Sequence, residues 1–505
     1  MTLLRAIGLA LASLAFTAAL QAGGAQVGTK YFVRNQPLGA IDRGLRSEIP
    51  PRSVRLRASA AQPPAFVANR VLVRFRSGAE RTARDLKNAG VDARRVDAPD
   101  YADYLVVRLN PGEDPEQAAR VLRARGDVEY AQADYRAHPL FVPNDPLYNK
   151  QWGLPAINLE RGWDVNRGAS SSVIVAILDS GLAFENTVLR YHASAFRFEG
   201  QSFPALGPMD LLFAAAPDIV TADRIVAPHD FIWNDSEPVD LDGHGTHVTG
   251  ILGELTNNDI GVAGVAFNVK LMPVKVVSGQ WDDVFDSPEI GTDDVVARGI
   301  RYAADNGANI INMSIGRSGP DAPVVEAAMR YAIGKGVFIS VAAGNDAQDG
   351  NPVEAYAKIA GSVDGAVAVG AVGPDLMRAP YSSTGSYIEL AAPGGNFDLG
   401  GGPGGVLQQT LDLDLALTYL DGPGRYRAPR FDSFAYFYFE GTSMAAPHVA
   451  GVAALLYQQG VENPAAIEAA LKRFARDLGS AGTDPEYGAG LIDARAALRG
   501  LGLAE

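Results

Sequence analysis

The chain has 505 residues, of which 47% are hydrophobic and 20% are charged, a balance typical of folded globular proteins. This length accommodates roughly two to four domains. The net charge of −14 excludes a general nucleic-acid or anionic-membrane binder, because phosphate binding requires clustered Lys and Arg, and the sequence has no such cluster. The absence of cysteine excludes disulfide bonds.

The N-terminal residues 1–25 have the pattern of a secretory signal peptide. Arg5 precedes an apolar stretch from Ala6 to Leu20, and small residues follow it. The stretch is shorter than the roughly 20 apolar residues that cross a bilayer, so we expect a secreted or periplasmic product without a stable membrane anchor. Residues 26–65 are rich in Gly, Arg, Ser and Pro without periodicity, which predicts a disordered linker.

Residues 66–138 predict a small α+β domain. Periodicity and composition indicate the following elements in chain order: a strand at 71–75, a helix at 80–89, a weaker strand at 91–96, a strand at 104–109, a helix at 115–125 and a strand at 128–135. This order is that of a split βαβ, ferredoxin-like unit.

A larger region, residues 143–505, alternates short apolar segments with helical patterns. The apolar segments are typical of strands buried on both faces: 173–178, 271–277, 310–314, 337–341 and 366–372. The helical candidates are 244–255, 292–306, 323–335 and 444–459. The alternation predicts an α/β three-layer domain with a mostly parallel sheet. Ligands of such sheets bind at the carboxyl ends of the strands.

Three side chains near these strand ends suggest nucleophilic catalysis. Ser443 begins a helix, where unpaired backbone N–H groups favour a developing anion. A serine hydroxyl needs a base that takes its proton and later returns it, and His244 can do both. Asp179, directly after the first strand, can orient the imidazole. Taken singly, however, Ser443 is more often a helix cap and Asp179 more often a turn residue.

Asn345 follows the strand at 337–341 and adds a fourth element. Its side-chain amide and the backbone N–H of Ser443 can donate hydrogen bonds to the oxyanion that forms when a carbonyl is attacked. Taken alone, an asparagine at this position is more often a turn residue.

These motifs together resemble those of the subtilisin-type serine proteases, the subtilase family. They are Asp179-Ser-Gly, His244-Gly-Thr-His, Ala343-Gly-Asn and Gly441-Thr-Ser-Met-Ala. The order Asp, His, Ser is that of subtilisin, itself a standard example of this triad. The resemblance covers residue 143 onward and implies a serine endopeptidase with Asp179, His244 and Ser443 as triad and Asn345 as oxyanion donor. The alternative is a non-catalytic peptide-binding scaffold.

The resemblance also implies where polypeptide substrates bind. An extended peptide would add as a strand along Ser314, Ile315 and Gly316. Pocket residues near Ala343-Gly344 and Ala355-Tyr356 are small or apolar, which implies a broad or apolar preference, although Glu354 leaves a basic preference open.

Two further patterns allow alternatives. The acidic segment that runs from 281–286 through Asp293 and Asp294 would favour basic peptides if it flanks the groove, but such runs are more often solvated loops. His247 and His244 suggest a zinc pair only weakly, because no zincin glutamate lies between them, and a helical histidine at this spacing more often packs in the core.

Many family members carry calcium, and residues 256–262 resemble one of the binding loops. The implied ligands are Asp145, Asn258, Ile260 and Val262. The stretch 182–188 departs from the family pattern, because it lacks the usual His-Pro-Asp and therefore one carboxylate. Insertions at 182–240 and 396–440 have no role that the sequence identifies.

By the same resemblance, residues 66–138 form an inhibitory prodomain. Such a prodomain covers the substrate groove as an intramolecular inhibitor until the enzyme cleaves it off. We therefore expect an inactive precursor that processes itself.

Overall fold

The computed structural model describes residues 26–27, 66–76, 82–88, 90–135, 141–198, 201–221, 223–416 and 429–500. The signal peptide predicted at 1–25 and the linker predicted at 26–65 lie outside these ranges, except for a two-residue strand, Gln26–Val27, that pairs with Ile315–Gly316. The chain divides into two compact units: Arg43–Leu140 forms one, and Met1–Asp42 with Phe141–Glu505 forms the other.

The smaller unit is a four-stranded antiparallel sheet with two helices. Across the sheet the strands are Ala93–Asp97, Leu105–Leu109, Phe66–Phe75 and Val128–Tyr135. The helices are Ala83–Asn88 and Pro115–Arg123. Asp114 caps the second helix by accepting the N–H of Glu116 at 2.9 Å. This helix buries Ala118, Ala119 and Leu122. The ferredoxin-like prediction is thus confirmed.

The larger unit is built on a seven-stranded sheet. In chain order its strands are β1 (Ile174–Asp179), β2 (His229–Asp230), β3 (Lys270–Lys275), β4 (Ile310–Met313), β5 (Phe338–Ala342), β6 (Ala366–Val372) and β7 (Leu390–Pro393). The spatial order is β2-β3-β1-β4-β5-β6-β7, and every pairing is parallel. Five strands match the predicted ones. The sequence analysis missed β2 and β7, which have only two and four residues.

Helices cover both faces of this sheet. The main ones are α1 (His244–Gly253), α2 (Asp293–Asp305), α3 (Pro323–Gly334), α4 (Thr442–Gln458) and α5 (Pro464–Arg473). In β1, Val175 and Ile177 join the apolar cluster of α1 and α4, whereas Ala176 and Leu178 join that of α2 and α3. Because successive strand residues point to opposite faces, the chain forms three layers, which confirms the predicted fold class.

The remaining elements are short. The helices are Gly153–Ala156, Leu159–Trp163, Gln280–Val284, Ala355–Ala360, Leu413–Ala416 and Ala494–Arg499, with 3-10 turns at Tyr148–Lys150, Ala347–Asp349 and Gly402–Gly404. The strands outside the sheet are Thr187–Ala193, Phe196–Phe198, Gln201–Phe203, Leu206–Phe213, Ile315–Gly316, Val406–Leu411 and Phe434–Phe439. No helix within the described residues is long and apolar enough to span a membrane.

The two insertions each contribute an antiparallel strand pair. Thr187–Ala193 pairs with Leu206–Phe213, and Val406–Leu411 pairs with Phe434–Phe439. The second pair is largely buried, and Thr410 Oγ1 donates a hydrogen bond to the backbone oxygen of Gly243. This pair therefore supports the loop that leads into α1.

Candidate active site

The carboxyl edge of the sheet brings three predicted residues into the same region. Asp179 is the last residue of β1, His244 the first of α1 and Ser443 the second of α4. Their exposed fractions are 1%, 1% and 2%, so all three side chains lie in a poorly hydrated environment. Interactions between charges are stronger in such surroundings than in water.

Asp179 and His244 form a direct hydrogen bond. The distance between His244 Nδ1 and Asp179 Oδ1 is 2.7 Å. A carboxylate accepts, so Nδ1 carries the proton and Nε2 is left as the basic nitrogen. Nε2 is buried and has no hydrogen-bond partner within the described residues. The imidazole is thus held in the tautomer that can take a proton at Nε2.

Ser443 is joined to the end of β4 by two hydrogen bonds. Its Oγ donates to the backbone oxygen of Ser314 (3.1 Å), and Ser314 Oγ donates to the backbone oxygen of Ser443 (2.7 Å). The second bond is explained by Pro447, which has no N–H to donate to the carbonyl four residues earlier. No hydrogen bond joins Ser443 Oγ to the His244 ring in the described structure. Such catalytic bonds are often long without substrate.

Asp240, which the sequence analysis missed, organises the loop before His244. Its carboxylate accepts Ser180 Oγ (3.0 Å), Gly243 N (2.8 Å) and both the N–H (2.9 Å) and the hydroxyl (2.6 Å) of Thr246. It is 1% exposed. The position of an acidic residue four places before the histidine was the available signal. Asp240 thereby ties the turn after β1 to the start of α1.

Gly245 allows the same two segments to approach closely. A methyl group on its Cα would lie 2.2 Å from the backbone oxygen of Gly181, far inside van der Waals contact. The glycine after His244 is therefore required by packing, and any side chain would push α1 away from Asp179.

Asn345 lies against the start of α4. Its Oδ1 accepts the N–H and the hydroxyl of Thr442, both at 2.9 Å. These bonds use the oxygen of the amide and fix its orientation, so the nitrogen is the end that can donate. Thr442 Oγ1 also accepts the N–H of Gly344 (3.1 Å), which links the end of β5 to α4.

Comparison with known proteins identifies the family. The subtilase family model matches residues 170–490, and that of the fervidolysin N-terminal prodomain matches residues 53–134. A thermophilic serine proteinase of Bacillus sp. strain AK1 is 30% identical over 427 residues, covering 84% of this chain and 86% of the relative. This chain belongs to the subtilase family.

Two other similar proteins agree with this assignment. An extracellular protease of Xanthomonas campestris pv. campestris is 29% identical over 394 residues, covering 76% of this chain and 61% of the relative. A solved structure of proteases from Pseudoalteromonas arctica PAMC 21717 has a TM-score of 0.51 and 31% identity, covering 71% of this chain and 99% of that one. The subtilase is thus a serine endopeptidase preceded by a prodomain-like unit.

Charges around His244 raise its pKa. Burial acts in the opposite direction, but the carboxylate of Asp179 and its hydrogen bond, with the nearby carboxylates of Asp242 and Asp240, outweigh it. Asp242 also accepts the N–H of His244 at 3.2 Å, and burial raises the pKa of Asp242 to about 6. The subtilase therefore places several carboxylates around the buried pair of His244 and Asp179.

His247 packs in the core, which is the alternative that the sequence analysis favoured over a zinc site. Its Nε2 lies 3.1 Å from the backbone oxygen of Phe437, and its ring stacks on Phe439 at 4.1 Å. The side chain is fully buried, and burial lowers its pKa to about 3. Across the described ranges, no three His, Cys, Asp or Glu side chains come together as a metal-binding group.

The loop predicted to hold calcium is closed by protein hydrogen bonds. The two oxygens of Asp145 accept backbone N–H groups of the loop at 2.8 and 3.2 Å. Asn258 donates to Asp218 (2.7 Å) and accepts the N–H of Ile260 (3.0 Å), while Val262 N donates to Asp218 (3.3 Å). These hydrogen bonds fix the shape of the loop, and each accepting oxygen keeps a second lone pair that an ion can use. Calcium therefore stays a prediction, and no step below uses it.

The acidic segment 281–286 is solvated only in part, because Asp283 and Asp286 are exposed whereas Asp282 is buried. It contributes to the helix Gln280–Val284, and Asp282 within it is fully buried. Asp282 Oδ1 lies 2.7 Å from Lys275 Nζ, at the end of β3, and accepts the indole N–H of Trp233 at 2.6 Å. The segment thus anchors the subtilase core through a buried ion pair, which the expectation of a solvated charge run had missed.

The predicted substrate-binding residues lie on two neighbouring segments. Ser314 and the strand Ile315–Gly316 continue from β4, whereas Ala343 and Gly344 follow β5, the next strand of the sheet. Gly344 has φ +103°, a conformation that side-chain-bearing residues rarely adopt. The roles of these residues in binding stay predictions.

Proposed function

We propose that Ser443 is the nucleophile of this endopeptidase, His244 its general base and acid, and Asp179 the group that orients His244. The observation that carries the proposal is the 2.7 Å bond between Asp179 and His244, with the buried Nε2 left as acceptor. The position of Ser443 at the start of α4 supports this role, because the N–H groups at a helix N-terminus stabilise negative charge.

In the proposed reaction, Ser443 Oγ attacks the peptide carbonyl as His244 Nε2 takes its proton. The Asn345 amide and the Ser443 N–H stabilise the oxyanion. His244 then protonates the leaving amine, which forms an acyl-enzyme. A water molecule, deprotonated by His244, releases the acyl group and restores Ser443.

A fluorophosphonate probe tests this assignment directly. The processed protein is expected to degrade casein, and mass spectrometry is expected to find the probe on Ser443. Unchanged casein on prolonged incubation would favour a non-catalytic peptide-binding scaffold. Labelling of a different serine would overturn the assignment of the nucleophile.

We also propose that residues 66–138 are an inhibitory prodomain that the enzyme removes from residues 143–505. The prodomain-family match over residues 53–134 and the ferredoxin-like sheet support this proposal. A secreted or periplasmic location is supported by the pattern of residues 1–25 and by the extracellular relative of Xanthomonas campestris. Mass spectrometry of the mature N-terminus tests the boundaries.

Removing the amide donor of Asn345 is expected to slow catalysis. Asn345→Asp keeps the oxygen that accepts from Thr442 but replaces the donor, so we expect kcat to fall about 10²–10³-fold, the loss known for the oxyanion asparagine of subtilisin. Steady-state kinetics on a chromogenic peptide measure it. A variant with the wild-type kcat would contradict the proposed role.

The acid side of the pH profile is expected to report His244. The base acts only when neutral, so kcat/KM falls as the pH drops through the raised pKa of His244. Asp242→Asn removes one charge that raises this pKa, and we expect the fall to move to lower pH. Profiles from pH 5 to 9 measure the shift, with the exposed Asp364→Asn as control. A shift to higher pH would refute the explanation.

Chelation tests the calcium prediction. We expect the inactive Ser443→Ala protein to melt at a higher temperature in calcium than in EDTA, because an ion held by Asp145 and the loop 256–262 binds only the folded chain. An ion present at 100 times its Kd adds about 2.7 kcal/mol to the free energy of unfolding. Asp145→Asn is expected to abolish the rise, and equal melting temperatures in calcium and in EDTA would contradict the predicted site.

A further inference from the structure

One buried carboxyl group lies between the two predicted substrate-binding segments. Glu354 is only 5% exposed, and its Oε1 accepts the hydroxyl of Ser318 at 3.0 Å. Its other oxygen, Oε2, is buried and has no hydrogen-bond partner within the described residues. A buried carboxylate oxygen without a partner is costly, so its presence requires an explanation.

Glycines bring both segments against this carboxyl group. A methyl group on Gly316 would lie 2.9 Å from Glu354 Oε2, and one on Gly344 would lie 2.2 Å from Glu354 Cγ. The backbone is fixed as well, because Ala355 N donates to the oxygen of Arg317 at 2.9 Å. The carboxyl group is therefore held beside the segment that continues from β4 and the one that follows β5.

The surroundings of Glu354 are acidic. The carboxylate of Asp346 faces it, and the N–H of Asp346 donates to Ser383 Oγ at 3.3 Å. The neighbouring cation, Arg317, is occupied by a two-bond contact with Asp293 at 2.7 and 2.6 Å. Burial raises the pKa of Glu354 to about 7, and the hydrogen bond from Ser318 and the charge of Arg317 oppose it. The charge of Asp346, and the hydrogen bond that the two carboxyl groups share when one is protonated, add to the rise. None of these neighbouring residues therefore forms an ion pair with Glu354.

We propose that Glu354 makes the enzyme prefer arginine or lysine at P1, the residue before the scissile bond. This inference rests on the proposed function. A peptide whose carbonyl meets Ser443 and whose backbone follows Ser314–Gly316 has its P1 side chain next to the two glycines. A guanidinium or ammonium group entering between them meets Glu354 Oε2 and supplies the missing donor.

Matched substrates test this preference. Chromogenic peptides that differ only in P1 arginine or citrulline have nearly the same shape but differ in charge. We expect kcat/KM to be about 10 to 100 times higher for arginine, the discrimination typical of a charged hydrogen bond. Glu354→Gln is expected to abolish this ratio by lowering kcat/KM for the arginine peptide to the value for the citrulline peptide. The exposed Glu462→Gln serves as control.

A pH series gives a second measurement that needs no variant. Glu354 attracts a cation only when ionised, so the arginine-to-citrulline ratio is expected to rise as the pH increases through about 7. The protonation of His244 affects both substrates equally and cancels in the ratio. If Glu354→Gln fails to mature, the arginine-to-citrulline ratio of the wild-type enzyme and its rise with pH still test the proposal.

Three outcomes are distinguishable. Equal cleavage of the arginine and citrulline peptides, or a ratio unchanged in Glu354→Gln, overturns the role of Glu354 while the protease assignment stands. No hydrolysis of any peptide overturns the proposed function itself. A preference for arginine that rises with pH and disappears in the variant supports the inference.

Discussion

Ser443→Ala is expected to lower kcat about a million-fold and to leave the precursor uncleaved. The figure is the loss known for the nucleophile of subtilisin. The physical reason is that alanine has no side-chain oxygen to attack the carbonyl, so no acyl-enzyme forms. Casein hydrolysis and mass spectrometry of the purified precursor measure the two effects.

Two further variants sharpen this test. Ser480→Ala removes an exposed hydroxyl and is expected to behave as wild type. Asp179→Asn is expected to lower kcat about 10⁴-fold, because the amide no longer holds Nδ1–H and the imidazole adopts the wrong tautomer. Processing of Ser443→Ala at the wild-type rate, in a preparation free of other proteases, would disprove self-cleavage.

Lys275→Met is expected to destabilise the folded enzyme by about 3–5 kcal/mol, because it leaves the carboxylate of Asp282 buried without its ion-pair partner. Both side chains are completely buried, and the backbone oxygen of Val239 accepts another bond from Lys275 at 3.0 Å. Although burial lowers the pKa of Lys275, the carboxylates of Asp282 and Asp230 keep it above the usual value. Denaturant unfolding in the Ser443→Ala background, where autolysis is absent, measures the loss.

An exposed ion pair with the same N–O distance provides the control. Lys358 Nζ also lies 2.7 Å from its partner, Asp321, but the side chains are 53% and 80% exposed. Lys358→Met is expected to leave the free energy of unfolding nearly unchanged, because water replaces the lost contact. Equal destabilisation by the two substitutions would show that burial does not determine the strength of these pairs.

Local patterns predicted much of the fold because they are set by residues close in sequence. The buried segment 174–179 and the helix that begins at His244 were predicted nearly as the structure has them. In contrast, β2 has two residues and no alternation to detect. The helix Gln280–Val284 was missed because its acidic residues outweighed the apolar spacing of Trp281 and Val284.

The candidate site residues were predictable where the residue type and its sequence neighbours form a motif that indicates a specific catalytic role. Asp179, His244, Asn345 and Ser443 each lie in a short motif at a strand or helix end. The role of Asp240 depends on contacts with a turn 60 residues away, as in its bond from Ser180. Such long-range contacts leave no periodic signal, and only the folded chain reveals them.

The reciprocal bonds between Ser314 and Ser443 have a consequence for protein engineering. Ser314 begins the edge that is predicted to receive substrate. Its hydroxyl also donates to the backbone oxygen of Ser443, which receives no helical hydrogen bond from Pro447 because proline has no N–H. Libraries that diversify position 314 to alter selectivity will therefore also perturb turnover. Randomising positions 314 and 447 jointly allows a compensating backbone donor to be recovered, whereas single-site screens discard those combinations.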